Sequence, residues 1–395
     1  MTPEEIELLS ELTIVIPTCN RPLELERAIE YWRDLPVTVH ILDGSEKPWF
    51  PVGLLSDLST ISYHHIPQRQ GENYMVNISR RMMFAVDLPQ KKFSALCADD
   101  DYFTVSGLLE FCHRLKNDNS VDSLVGSCAE YTMSGNEALM WNLRYTEWKA
   151  NLSSQSDDLR TRVLDTSSVF YLYYAIMRTE CWKKTIRYSF NVSYNHDYFY
   201  EHAMKAICRA HGKSSFEGKI YWIKKSFEFN PEIPNQESRE READWFRNPK
   251  NKAEVSIFKG HLSNAIALAL PESDRGTLAS EIVDEYLKRV VRVSDTARFR
   301  RMKKQILLLV SKLFRGVPSR YRKKINQKLP KNVQIWLGFT NERPHSHLIK
   351  NNKQKLFDFC KSIESTGIQF EASDFVLVER ILSTPREELR LRANI

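Results

Sequence analysis

The sequence predicts an α/β protein, a doubly wound, mostly parallel sheet followed by a helical C-terminal region. Three observations predict it. Apolar, β-branched runs alternate with stretches of helical spacing over roughly the first 130 residues. Those runs are continuous rather than alternating with polar residues, as suits strands buried on both faces of a sheet. Beyond about residue 230 only helical spacing remains.

The elements follow in order. Leu12-Thr-Ile-Val-Ile16 reads as the first strand and stops at Pro17. Thr18-Cys-Asn-Arg-Pro22 is turn chemistry, and Pro22 suits the first turn of a helix. That helix is predicted over Leu23 to Asp34, with Leu25, Ala28, Ile29 and Trp32 on its apolar side. Val37 to Leu42 is a second strand, ended by Asp43-Gly44-Ser45, and Thr60 to His65 a third. A helix is predicted from about Glu72 to Val86. Phe93 to Ala98 is a fourth strand, ending in Asp99-Asp100-Asp101, with a helix around Ser106 to Lys116 beyond it. From Tyr131 to Phe229 the pattern is irregular and rich in aromatics. Ser167 to Ile176 reads there as an added strand, with Trp141 and Trp148 as the more exposed-looking aromatics. The stretch FEFNPEIPNQESRERE, with two prolines and a polar run, divides the chain into domains over residues 1–230 and 231–395.

Composition excludes several classes. With 395 residues, 42% hydrophobic and 27% charged, the chain is neither disordered, collagen-like nor a disulfide miniprotein. A bilayer-spanning helix needs about 20 mostly apolar residues, and the longest apolar run, Val169 to Met177, is far shorter. The acidic start MTPEEIELLSE does not read as a secretory signal, so the expected compartment is the cytoplasm. Cysteines number 7, widely spaced and without a C-x-x-C, which favours buried thiols over disulfides or a zinc site.

Charge is concentrated. Formal net charge is +7, yet Thr296 to Asn341 holds thirteen Lys/Arg and no Asp or Glu, so the remainder sums to −6 (7 − 13). Within it, Phe299, Met302, Ile306, Leu309 and Leu313 fall on one helical face, flanked by Arg298, Arg301, Lys304, Lys312 and Arg315. A basic amphipathic helix of this kind lies on anionic lipid, packs on neighbouring helices, or pairs with a second copy of the chain.

Chemistry gathers at the predicted carboxyl ends of the strands, where open α/β sheets bind ligands. In an extended chain Asp99 and Asp101 would point one way and Asp100 the other. Two carboxylates on one side make half an oxygen site for Mg²⁺ or Mn²⁺. The same triplet also suits a solvated loop capping the next helix. Asp43 suits either a ligand to a base or ribose or a turn made by Gly44.

The order LTIVIPTCNRP, VTVHILDGS, ALCADDDYF resembles the family 2 glycosyltransferases and their relatives with the Rossmann-like GT-A fold. Within them it is similar to the bacterial branch that carries a DDD or DxD triplet. The resemblance covers roughly residues 10 to 230 and is clearest over 10 to 110. It implies a metal-dependent, inverting sugar transfer in surface polysaccharide synthesis. The donor implied is a nucleotide sugar, a UDP-sugar first, and the acceptor a glycan or polyprenol-linked glycan. Pro17, Thr18, Asn20 and Arg21 would line the nucleotide pocket, and Asp43 would hold the base, although Leu42 stands where many relatives have an Asp. Asp99, Asp100 and Asp101 would hold donor and metal (Mn²⁺ or Mg²⁺), with Asp99 and Asp101 as ligands and Asp101 the more direct. In SYNHDYFYEHAMKAICRAHGK, Asp197 matches the family's general base, with His196 in place of the usual Glu and Glu201 as the alternative one turn on; Asp197 equally suits a helix N-cap. Arg80 and Arg81 fall near the implied donor or on an exposed helix face. Lys224 and Lys225 reach donor phosphates or end a solvated strand.

Such a protein would sit in the cytoplasm, peripherally on the inner face of the membrane, and bind no nucleic acid. Two rivals share the fold. A nucleotidyltransferase would want a Gly-rich loop after the first strand, where PTCNRP has no glycine. A non-catalytic membrane or nucleic-acid-binding module would not need Asp99 to Asp101.

Overall fold

The computed structural model describes residues 1–49, 59–134, 138–144, 152–165, 172–195, 197–226, 242–292, 355–364 and 366–392. The basic segment, with its apolar stripe, lies outside these residues, as do Trp148 and His196.

The predicted alternation is present. A first helix, α1 (Pro3–Ser10), leads into β1 (Leu12–Thr18), α2 (Pro22–Trp32), β2 (Thr38–Asp43), β3 (Ile61–His65), α3 (Tyr74–Ala85), β4 (Phe93–Leu96), β5 (Tyr102–Phe103) and α4 (Val105–Asn117). Then come β6 (Ser123–Ser134), β7 (Ala138–Arg144), α5 (Leu159–Val163), β8 (Ile176–Arg178), α6 (Thr179–Phe190), α7 (Asp197–His211) and β9 (Ser214–Lys225). Beyond β9, α8 (Glu242–Arg247), α9 (Lys252–Ala267), residues 277–292 and the helices Leu356–Glu364, Ala372–Ser383 and Arg386–Arg392 are all helical. Among the described residues no helix is long and apolar enough to cross a membrane.

The strands form one 9-stranded sheet in the order β3-β2-β1-β4-β8-β6-β9-β5, with β7 on β6. β1 to β4 run parallel. β8 is antiparallel to both β4 and β6, so β6 and its parallel neighbour β9 run with β4. Only β5, β7 and β8 are reversed, which makes the open sheet mostly parallel. The chain leaves β1 toward β2 and β3, then returns to β4 on β1's other side. Order reverses between β1 and β4, and beyond the carboxyl ends of such a pair a crevice opens.

Local chemistry explains the boundaries. Leu12, Ile14, Val15 and Ile16 have 0% exposure, which accounts for an apolar run without alternation. Asn73 caps α3 by accepting from the Val76 N–H at 2.9 Å, and Thr104 caps α4 through the Gly107 N–H at 3.1 Å. Two sequence expectations are corrected here. Within the predicted strand over Ser167 to Ile176, Leu172–Tyr174 form a 3₁₀ turn, and the strand is the short Ile176–Arg178. It pairs with β4 through Met177 and Arg178 and with β6 through Ile176 and Met177, so an apolar run alone misplaced it. Trp141, read as exposed, has 0% exposure. Phe359 and Phe375 of the C-terminal helices lie 5.9 and 5.3 Å from its ring and cover it.

The helices over residues 356–392 pack onto the sheet and its helices. Leu356–Glu364 lies against β7, while Ala372–Ser383 and Arg386–Arg392 lie against α2. Asp374 accepts from the Val105 N–H at 2.9 Å and the Ser106 hydroxyl at 2.6 Å, at the start of α4.

Candidate functional site

At the switch point the loop after β1 meets the loop after β4. Asn20 adopts φ 56°, in the left-handed region that asparagine tolerates better than most residues. Pro22 then opens α2 directly, leaving Arg21 as an N-cap that makes no capping bond with its side chain. The guanidinium instead crosses to the acidic triplet. Nη1 donates to Asp99 Oδ1 and Nη2 to Asp100 Oδ2, each at 2.5 Å. Thr18, the last residue of β1, donates its hydroxyl to Asp99 Oδ2 at 2.7 Å. Residues about eighty positions apart are thereby joined across the crevice.

The triplet does not alternate as an extended chain would. β4 ends at Leu96, and Asp99 and Asp100 form a turn. Asp99 and Asp100 therefore share one guanidinium, while Asp101 turns toward β9. There it accepts from Trp222 Nε1 at 3.1 Å and the Lys225 backbone N–H at 3.0 Å. Asp101, expected to be the most direct ligand, is 6% exposed. Of the two acids on Arg21, Asp100 has a side chain 19% exposed against 3% for Asp99. Burial pushes the Asp99 carboxyl up to about 7 against the opposing pull of Arg21, and burial raises Asp101 as well.

Carboxylate oxygens are the ligand type a hard divalent cation takes. Two carboxylates, Asp99 and Asp100, face one guanidinium while Asp101 faces β9, and each carboxylate oxygen keeps lone-pair capacity beyond the bonds described.

Beside the clamp is a cavity of about 430 Å³, lined in part by Thr18, Asn20, Arg21, Asp43, Ser45 and Trp49. Four residues singled out in the sequence thus line one cavity. Asp99 and Asp100 adjoin it through Arg21. Pro17 lies within β1, opposite Leu42 of β2. The Asp43 side chain is spent on the loop itself. Ser45 donates to it through N–H at 2.8 Å and hydroxyl at 2.5 Å, and Tyr63 donates its phenol. Ser45 in turn accepts from the Asn20 N–H at 2.8 Å, tying the loops after β1 and β2 together. Asp43 lines the cavity and bonds Ser45 two residues on, but Gly44 does not adopt the positive φ that a glycine-made turn would need.

The two arginines of α3 differ. Arg81 is fully buried and donates Nη1 to the carbonyls of Thr18 and Leu42, at 2.6 and 3.0 Å, which fixes the ends of β1 and β2. An exposed helix face does not describe it. Arg80 pairs with Glu72 at 2.9 Å, and that hydrogen bond holds the Glu72 carboxyl down at about 2. Lys225 pairs with Glu24 of α2 at 3.2 Å, and Lys224 lies 5.7 Å from the Trp222 ring centroid.

Asp197 opens α7, but its side chain lies outside the described ones. The first turn of α7 is held against α3, where Tyr200 and Ser79 share a hydroxyl bond of 2.5 Å. Glu201 is 4.0 Å from Lys205 and its side chain is 43% exposed.

Sequence reasoning missed Trp49, Ser45 and Tyr63. The stretch between β2 and β3 has no periodicity to read, and Trp49 stands in it after the polar Ser45-Glu46-Lys47 and Pro48. A search of protein-family models finds no match to this chain, and neither does a search of curated proteins.

Proposed function

We propose that this chain is a metal-dependent glycosyltransferase of the GT-A class. It moves a sugar from a nucleotide-sugar donor, a UDP-sugar first, to a glycan or polyprenol-linked acceptor, with inversion at the anomeric carbon. One observation carries the reading: Thr18, Arg21, Asp99 and Asp100 meet at the reversal of strand order, against a cavity that Asp43 and Trp49 help to enclose. The crevice at such a reversal is where α/β sheets take nucleotides.

The loop held by Asp43 and the Trp49 ring would wall the base, and Asn20 and Arg21 would stand beside the diphosphate. Asp99, Asp100 and Asp101 would hold Mn²⁺ or Mg²⁺, which when bound supplies positive charge opposite a leaving diphosphate. Asp197 would take the proton of the acceptor hydroxyl, the role a general base has in inverting transfer. The acid-free run Thr296 to Asn341 would hold the enzyme on an anionic, lipid-linked acceptor surface.

The test is thermal stabilisation by UDP-, GDP- and dTDP-sugars with and without Mn²⁺, with product detected by mass spectrometry. One donor is expected to raise Tm only with the metal. Asp100→Asn, a solvent-reaching carboxylate, should lose that metal dependence, and Asp197→Ala should keep donor binding while turnover falls by at least about a hundredfold. A shift only with nucleoside triphosphates would replace the reading with nucleotidyl transfer. No shift with any nucleotide would leave a non-catalytic module.

A further inference from the structure

Helix α2 carries a carboxylate that the clamp does not use. Glu26 stands in mid-helix at 3% exposure, where a charge is costly unless it is paired. Its partners come from far along the chain. Arg386 Nε donates to Oε2 and Arg390 Nε to Oε1, each at 2.9 Å. The third donor is Trp49, whose indole N–H reaches Oε1 at 3.1 Å. Both arginines also lie over the Trp49 ring, at 4.9 and 5.3 Å from its centroid. One tryptophan is thus held at its nitrogen by a carboxylate and against its ring by two cations.

Trp49 lines the cavity beside Arg21. The helix that supplies the arginines, Arg386–Arg392, is seated by Leu389 at 1% exposure, and Arg27 of α2 donates to the Leu382 carbonyl at 2.9 Å just before it. Leu25, the neighbour of Glu26, lines the same cavity. A path of direct contacts therefore runs from the C-terminal helix through Glu26 and Trp49 to the cavity.

We propose that Arg386 and Arg390 are positioning residues for this cavity: through Glu26 and Trp49, the C-terminal helix sets the wall against which a nucleotide base rests. The identity of the ligand rests on the glycosyltransferase reading, whereas the position of Trp49 does not. Arginine suits the role because its planar fork bonds a carboxylate while its face stacks on an aromatic ring, which an ammonium does not do.

The test compares the full chain with R386A/R390A and R386K/R390K. It follows the indole ¹H–¹⁵N resonance of Trp49, assigned with Trp49→Phe, and UDP binding in the presence of Mn²⁺. We expect the Trp49 resonance to move in both double variants while those of the buried Trp182 and Trp245 stay, and the Kd for UDP to rise roughly tenfold. A Trp49 resonance unchanged in both variants overturns the proposal. A moved resonance with unchanged UDP affinity overturns the role in binding. Should R386A/R390A fail to fold, seen as loss of the Trp182 and Trp245 resonances, R386K/R390K decides. Should the wild type bind no nucleotide, the glycosyltransferase reading fails, and the Trp49 resonance alone decides whether the C-terminal helix sets the wall.

Discussion

Arg81 has 0% exposure and bridges carbonyls at the ends of β1 and β2, whereas its neighbour Arg80 stays partly exposed and pairs with Glu72. The contrast yields a prediction at the scale of one side chain. Arg81→Ala removes a large buried side chain and its bonds to two strand-end carbonyls, so it should destabilise by about 3–5 kcal/mol. Arg80→Ala leaves Glu72, whose side chain is 8% exposed, without its guanidinium and should cost about 1–2 kcal/mol. Urea midpoints at unchanged m-value would measure both, and equal losses would contradict the assigned roles. Gly44 belongs to the same packing. A Cβ there would stand 2.7 Å from Arg81 Cζ and from Asn77 Oδ1, so no other residue fits without displacing a buried neighbour. The sequence offers Arg80 and Arg81 as equals. Which one turns inward is set by where α3 docks, and one residue of helix is about 100° of rotation.

At the scale of elements, β2 and β3 set two histidines side by side, with His40 Nδ1 3.2 Å from His64 Nε2. Burial, with His64 as neighbour, holds His40 down at about 4, and burial lowers His64 too. The sign follows from proton counting. In the unfolded chain these rings take up protons near pH 6.5, which the folded pair resists. Stability is therefore fully present above about pH 6.5 and is lost as pH falls toward 4. His40→Gln should show a smaller fall in Tm over that window than the wild type. His64, His202, His211 and His261, all lowered by burial, keep the remaining slope. An identical slope in the variant would mean that the pair is solvated. Strand β1 was legible because burial on both faces leaves an unbroken apolar run. β8 was not, because three residues carry too little pattern and antiparallel pairing with β4 and β6 made the strand.

At the scale of the molecule, the C-terminal helices complete the first half of the chain. Asp374 accepts two bonds from Ser106 and one from the Val105 N–H, in addition to the Thr104 cap on α4. Asp374→Ala should destabilise by about 1–2 kcal/mol and speed hydrogen exchange at Val105 and Ser106, while Asp374→Asn should retain most of the protection. Exchange unchanged in Asp374→Ala would show that these amides are held by α4 alone. Trp141, covered by Phe359 and Phe375, teaches the same lesson as Trp49. Both aromatics take partners from residues more than two hundred positions away.

The sequence by itself determined the strand–helix alternation, the continuous burial of β1, the start of α2 at Pro22 and the collection of Thr18, Asn20, Arg21 and Asp43 at strand ends. Those features are written in periods of a few residues, in proline's fixed φ and in the polarity of short loops. The tertiary structure alone decided that Arg21 clamps Asp99 and Asp100 while Asp101 turns to β9, that Arg81 lies inside, and that Glu26 is neutralised from the far end of the chain. The physical reason is that a charge is stable in a buried place only beside its counter-charge, and the partner's position in space is carried by the packing of whole elements rather than by neighbours in sequence.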